Sequence, residues 1–169
     1  MLESSAHLLI ERGLANVSLE AVARHAGVSK GGLLHHFPSR QALLEDVFQD
    51  ILHKLDEQIQ LLTAKDNDER GRFTRAYILA FSLPLHNYAE NKLLASACLI
   101  MNTDPGLAKI WSQWLQGHIS NSRETSPLAY LLRYSADGIW LEDSVGGSKP
   151  NAKTRKAVIN SLIAMSYNI

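Results

Sequence analysis

The sequence predicts an all-α protein of about nine helices, and three observations carry that prediction. Apolar residues recur at helical spacing in one segment after another. Start and stop signals fall between those segments: Ser18, Ser29, Asp104-Pro105 and Ser126-Pro127 open helices, whereas Gly13, Gly27 and Pro38 close them. No stretch alternates with a period of two, and neither an internal repeat nor a low-complexity tract interrupts the series.

Taken in order, Leu2, Ala6, Leu9 and Ile10 make an amphipathic first helix that ends at Gly13. Ser18 caps a second, whose stripe is Leu19, Val22, Ala23 and Ala26. Gly27 ends it, since a left-handed backbone suits glycine, and Val28 is expected to seal the corner. Ser29 caps a short third helix through Phe37, which Pro38 stops. From Ser39 a long helix runs to about Ala64, with Leu43, Val47, Ile51, Leu55 and Leu62 on one side. The polar run KDNDERG at 65–71 separates it from an apolar helix over about Phe73 to Asn87, which Pro84 kinks or ends. Residues 90–102 form another. Asp104-Pro105 starts the helix holding Ile110, Trp111, Trp114 and Leu115; Ser126-Pro127 starts one to about Asp143. A loop, GGSKPN, leads to the last helix, through about Tyr167.

Bulk properties bound the function classes. At 169 residues, 46% apolar and 20% charged, the chain can bury one good core or join a small module to a larger helical body. No apolar run reaches the roughly 18 residues a membrane helix needs, and MLESSAHLLIERG lacks a signal-peptide layout. The single cysteine, Cys98, excludes an internal disulfide framework and suits a reducing compartment. A cytoplasmic protein without membrane contact is expected.

Residues 18–44, SLEAVARHAGVSKGGLLHHFPSRQALL, are the most informative stretch. Two helices joined by a glycine-containing turn, the second short and ending in an aromatic, set a recognition helix in a major groove. The run AGVSKGGLLHHFPSRQALL closely resembles the DNA-binding segment of TetR-family transcriptional repressors, whose pattern is A-G-V-S-x-G-x-L-Y-x-H-F-x-S-K-x-x-L. Ala26, Gly27, Val28, Ser29, Gly31, Leu33, His36, Phe37, Ser39 and Leu43 match it as they stand. Leu34 replaces the usual tyrosine, Gly32 the usual threonine and Arg40 the usual lysine. The resemblance is strong over about the first fifty residues; beyond them it lies in helical layout and in the segment SADGIWLEDSV.

The resemblance implies a helix-turn-helix DNA-binding domain at 1–45, with its motif at about 19–37, and a helical effector-binding and dimerisation domain at 46–169. Ser18, Ser29, Lys30, Gly31, Gly32, Leu34, His35 and Arg40 are the candidate DNA-contacting residues. Lys30 and Arg40 supply charge to phosphates at helix starts, while Gly31 and Gly32 remove side chains where the helix nears the groove. Charge alone argues the other way. Residues 1–50 carry four cations (Arg12, Arg24, Lys30, Arg40) against six acids, although only Glu20 is acidic between Ser18 and Arg40. Family members usually begin with a short basic arm, and here Met1 already falls inside the first helix. These features favour an alternative: an interaction protein on the same scaffold that has lost DNA binding.

Other chemistry is weaker. His35-His36 are adjacent, so they do not share a helical face, and no cysteine or acid stands at ligand spacing; no metal or cofactor is expected. His35 should point outward and His36 pack or hydrogen-bond near Phe37. Cys98 sits in LLASACLIM as a small hydrophobe. No nucleophile elbow, phosphate loop or HExxH pattern occurs, so no enzyme is expected. Phe81, Met101, Trp111 and Trp114, with Tyr88 and Trp140 nearby, are plain core or the lining of an effector pocket, which the family resemblance favours. Asn102, His86 and Asp137 are its candidate polar anchors, and an apolar or aromatic effector is expected. Leu128, Leu131, Leu132, Ala136 and Ile139 form one stripe, and Val158, Leu162 and Met165 another; these predict a homodimer through the last two helices. The implied partner is an inverted-repeat operator, released when the effector moves the long helix after the motif.

Overall fold

The computed structural model describes residues 8, 18–82, 104–145 and 150–169, and every regular element among them is a helix. In chain order these are α1 (Leu19–His25), α2 (Lys30–His36), α3 (Arg40–Ala64), α4 (Arg72–Ser82), α5 (Pro105–Ser122), α6 (Pro127–Val145) and α7 (Ala152–Ser166). The seven follow the expected order. The expected first helix and the one over 90–102 lie outside the described residues, as do Pro84, His86, Tyr88 and Cys98. No described helix is long and apolar enough to cross a membrane.

The starts are fixed by local chemistry. Ser18 Oγ accepts from Ala21 N at 3.2 Å and Ser29 Oγ from Gly32 N at 3.0 Å. Ser39 Oγ accepts from Ala42 N at 3.0 Å, and Ser126 Oγ from Ala129 N at 3.1 Å. Asp104 Oδ1 takes the N–H groups of Gly106 and Leu107, and Asn151 Oδ1 that of Thr154. Each cap satisfies donors that the first turn of a helix leaves without an internal partner.

The described residues fall into two compact units, one within Met1–His53 and Asn87–Gln113, the other within Lys54–His86 and Trp114–Ile169. In the first, α1 packs on α2. Val22, Ala23, Leu33, Phe37, Leu43, Val47, Phe48 and Leu107 form its buried core, with Leu8 also buried. The start of α5 is tied to α3 there, because Gln41 Nε2 donates to Asp104 Oδ1 at 3.1 Å and to Glu45 Oε1 at 2.9 Å.

In the second unit α4 packs against both α6 and α7, and α6 packs on α7. Its buried apolar residues include Phe73, Tyr77, Ile78, Phe81, Leu132, Ala136 and Ile159. A distant residue caps α4: Glu124 accepts from Phe73 N at 2.9 Å and Thr74 N at 2.8 Å, one backbone donor per carboxylate oxygen. Glu124 follows Arg123, whose φ of 60° turns the chain sharply after α5. Buried Arg133 completes the arrangement, donating to Thr74 Oγ1 at 2.9 Å and Glu124 O at 3.1 Å, with Tyr130's ring 4.8 Å away. Burial lowers the Arg133 pKa, and the Glu124 carboxylate opposes that shift.

The 65–71 loop is organised by buried Arg75. Its Nε donates to Asp66 Oδ2, Nη1 to Arg70 O and Nη2 to Asp68 O, each at 2.6 Å, and Tyr167 covers the guanidinium with its ring centroid 4.2 Å away. Burial raises the Asp66 carboxyl, but the Arg75 hydrogen bond and charge outweigh it and leave the pKa below 3.8. Gly71 closes the loop at φ 66°, where a Cβ would collide with the Ser166 carbonyl.

Candidate functional site

The corner between α1 and α2 is a Schellman turn. Val28 N donates to Ala23 O at 3.0 Å and Gly27 N to Arg24 O at 3.3 Å, with Gly27 at φ 68°. This turn and the two serine caps fix where α2 begins. Leu33 and Phe37 point inward, and Ser29, Lys30, Gly31, Gly32, Leu34, His35, His36 and Arg40 are all exposed, as is Ser18. Two expectations are corrected here. The Val28 side chain is 36% exposed rather than sealing the corner, because backbone hydrogen bonds, one of them from Val28 N, close the turn without that side chain. His36 is exposed, lying 6.4 Å from the Phe37 ring, while its edge meets His35 at 5.7 Å.

Among the described residues nothing requires glycine at Gly31, whereas at Gly32 a Cβ would crowd the hydroxyl that caps α2. Neither has a left-handed φ; a Cβ at Gly31 would meet nothing within 4 Å, and one at Gly32 only the Ser29 hydroxyl, at 3.2 Å. Glycine is a poorer helix former than alanine, and these two occupy the second and third positions of a seven-residue helix. They leave α2 with bare backbone on an exposed face. Lys30 stands at its edge, 3.9 Å from Glu20 of α1.

In the second unit, rings form a continuous ladder through α5, α4 and α6. Trp114 meets His118 (4.8 Å), His118 stacks on Phe73 (5.0 Å), Phe73 meets Tyr77 (5.8 Å), Tyr77 stacks on Phe81 (4.4 Å), and Phe81 meets Trp140 edge-on (6.2 Å). Phe81 and Trp114, both proposed from sequence, thus belong to one ladder. Asp137 joins it, accepting from Tyr77 Oη at 2.6 Å. Its bond to buried Tyr77 directs Asp137 inward, and burial pushes its carboxyl above 3.8 against that hydrogen bond and the Arg133 charge. At the other end Asp56 Oδ1 accepts from Trp114 Nε1 (2.8 Å) and His118 Nε2 (2.7 Å). Trp111 is half-buried and belongs to the first unit, and Met101 and Asn102 lie outside the described residues.

Sequence reasoning missed Phe73, Tyr77, Asp56 and His118. The 73-77-81 spacing on one helical face carried the signal for the first two; nothing local marked Asp56 and His118 as partners. A separate open groove of about 480 Å³ is lined by Leu62, Lys65, Asp66, Arg75, Ile163 and Tyr167, among others.

The expected dimer residues divide. Leu131, Val158 and Met165 are exposed, and Leu128 and Ile139 half-buried. Leu132, Ala136 and Leu162 are buried against their own chain, because α6 and α7 pack on each other and on α4. The outward stripe on α6 is instead Leu131, Tyr134, Gly138 and Leu141, with Tyr134 66% exposed and open space around Gly138.

The chain matches two family models: residues 1–47 that of bacterial regulatory proteins of the tetR family, and residues 71–167 that of the tetracyclin repressor-like C-terminal domain. It is 27% identical to the HTH-type transcriptional repressor KstR2 of Mycolicibacterium smegmatis over 53% of this chain and 44% of that protein. To the HTH-type transcriptional regulator EthR of Mycobacterium tuberculosis it is 26% identical over 71% of this chain and 55% of that protein. The chain thus spans about half the length of these curated relatives. Among solved structures, the multidrug binding protein EbrR, complexed with imidazole, is similar with a TM-score of 0.71 at 17% identity, over 96% of this chain and 87% of that one.

Proposed function

Because the chain belongs to the TetR family of bacterial regulatory proteins, we propose that it is a cytoplasmic, homodimeric transcriptional regulator, most simply a repressor, that binds an inverted-repeat duplex and is released by a small effector. On this reading residues 1–45 contact DNA and residues 46–169 hold the effector and the dimer interface. The observation that carries the DNA reading is the exposed backbone of α2 at Gly31 and Gly32, the first of which no contact among the described residues requires. A groove-bound helix gains closer approach from such a surface. Lys30 and Arg40, exposed at the starts of α2 and α3, suit phosphate contacts.

The ring ladder and Asp137 support an apolar, aromatic effector that carries a positive charge. Aromatic faces attract cations, and a half-buried carboxylate that accepts from Tyr77 and lies in the field of Arg133 gains from a further positive charge. KstR2 is named a repressor and EbrR a multidrug binding protein, in keeping with this assignment. The effector's signal has a continuous route to follow, since α3 begins in the first unit and ends in the second. A population shift along it would change the separation of the two recognition helices in the dimer.

Titration of the protein–operator complex with a cationic aromatic library, followed by tryptophan fluorescence and DNA release, tests the effector reading. Compounds that quench fluorescence should also release DNA, and Asp137→Asn should weaken cationic compounds more than neutral ones. Equal losses for both would remove Asp137 from the site.

A further inference from the structure

On α2 the residue that follows buried Leu33 is an exposed leucine. Leu33 is fully buried and Leu34 is 38% exposed, so the helix turns one leucine into the core and presents the next to solvent. Gly31 lies one turn before both Leu34 and His35, on their side of the helix. Helical side chains lean toward the N-terminus, so those of Leu34 and His35 extend over the turn that Gly31 leaves bare. The exposed side chains of α2 are therefore Lys30, Leu34, His35 and His36. Lys30 stands beside Glu20 at the first turn. Leu34 is the apolar member of this set.

We propose that Leu34 is a specificity-determining residue that selects thymine through its C5-methyl group; the inference rests on the DNA-binding reading above. The major-groove edges of the bases carry donors and acceptors at almost every position, and the thymine methyl is their apolar feature. A leucine side chain can donate and accept nothing. Set against a cytosine amino group or a purine edge, it strips water from a polar atom without replacing the hydrogen bond, whereas against a methyl both surfaces are apolar and gain by shedding water. Positions 31 and 32 carry no side chain to compete with Leu34 for that contact. Leu34 thus turns a recognition helix poor in hydrogen-bonding groups into one that demands a methyl at one step of each half-site.

The test alters the DNA first and the protein second. A palindrome is selected from random duplexes by the full chain, and each thymine in its half-sites is replaced in turn by deoxyuridine, which removes only the methyl. Affinities are measured by fluorescence anisotropy for the parent protein and for Leu34→Ala, whose substitution lies on the surface and whose fold is checked by circular dichroism. One thymine per half-site should lose about fourfold on demethylation, and roughly fifteenfold when both half-sites are changed, the scale for one buried methyl-sized group. The same changes should have no effect on Leu34→Ala. No sensitive thymine, or a penalty that persists in Leu34→Ala, overturns the proposal while leaving specific DNA binding in place. Failure to select any palindrome overturns both.

Discussion

At the level of single residues, the groups of greatest functional interest are those the fold does not need. Gly31 is one. A Cβ at this position meets nothing within 4 Å, so Gly31→Leu should fold with a Tm close to the parent's and lose specific DNA binding. It is a better probe than a change at Gly32, where a Cβ would crowd the Ser29 hydroxyl that caps α2. A variant that keeps operator affinity would detach this face from DNA. Asp137 is the second. Its carboxyl is raised above 3.8 by burial, so the folded state binds its proton more tightly than the unfolded chain. The resulting stability is present at low pH and is lost as pH rises through the folded pKa. Asp137→Asn keeps a hydrogen-bond acceptor for Tyr77 without the charge. It should melt a few degrees higher than the parent at pH 7, with the difference closing near pH 4, while cationic effectors bind it more weakly. Thermal melts at the two pH values check this; a lower Tm at pH 7 would mean that the charge stabilises the fold.

Among the elements, the helix starts were legible from the residues alone, because Ser18, Ser29, Asp104 and Ser126 each satisfy donors two or three positions away. What lay beyond a local reading is long-range. The polar run at 65–71 immediately precedes α4, yet the cap is Glu124, some fifty positions later, just after the left-handed turn at Arg123. Glu124→Ala should therefore destabilise the protein by about 2 kcal/mol, since two buried N–H groups lose their partner. Denaturant unfolding measures it, and a change under about 0.5 kcal/mol would show that water replaces the carboxylate. Arg75 was equally hidden. Arginine on an otherwise apolar helix suggests a solvated side chain, and its burial depends on Asp66, two backbone carbonyls and Tyr167 coming together. The stability from the lowered Asp66 pKa is present above 3.8 and lost as pH falls through the folded value. Asp66→Asn should thus be the less stable protein at pH 7 and match the parent in acid. The stripes on α6 and α7 divide for another reason: Leu131 and Leu132 are adjacent, so a broad apolar arc joins a face that packs inside the chain to one that does not.

For the whole molecule, that distinction decides how assembly is tested. A charge at Leu162 or Leu132 would unfold the second unit, because both are buried in their own chain. Tyr134→Glu and Leu131→Glu instead place the charge on the outward face of α6; each should yield a folded monomer by sedimentation, and with it lose affinity for a two-half-site duplex. A folded, dimeric Tyr134→Glu would move the interface elsewhere. DNA binding itself should depend on salt through Lys30 and Arg40. Lys30→Ala should lower the slope of log affinity against log salt by about one for each phosphate that the lysine neutralises. The expectations for assembly and DNA binding rest on one claim, that the chain binds a specific inverted repeat as a dimer. Selection from a random duplex library by the full chain at low salt, with sequencing of the retained DNA, tests it most directly. A dimeric repressor should enrich a palindrome whose half-sites are related by two-fold symmetry; retention of no sequence above the starting library would contradict the claim.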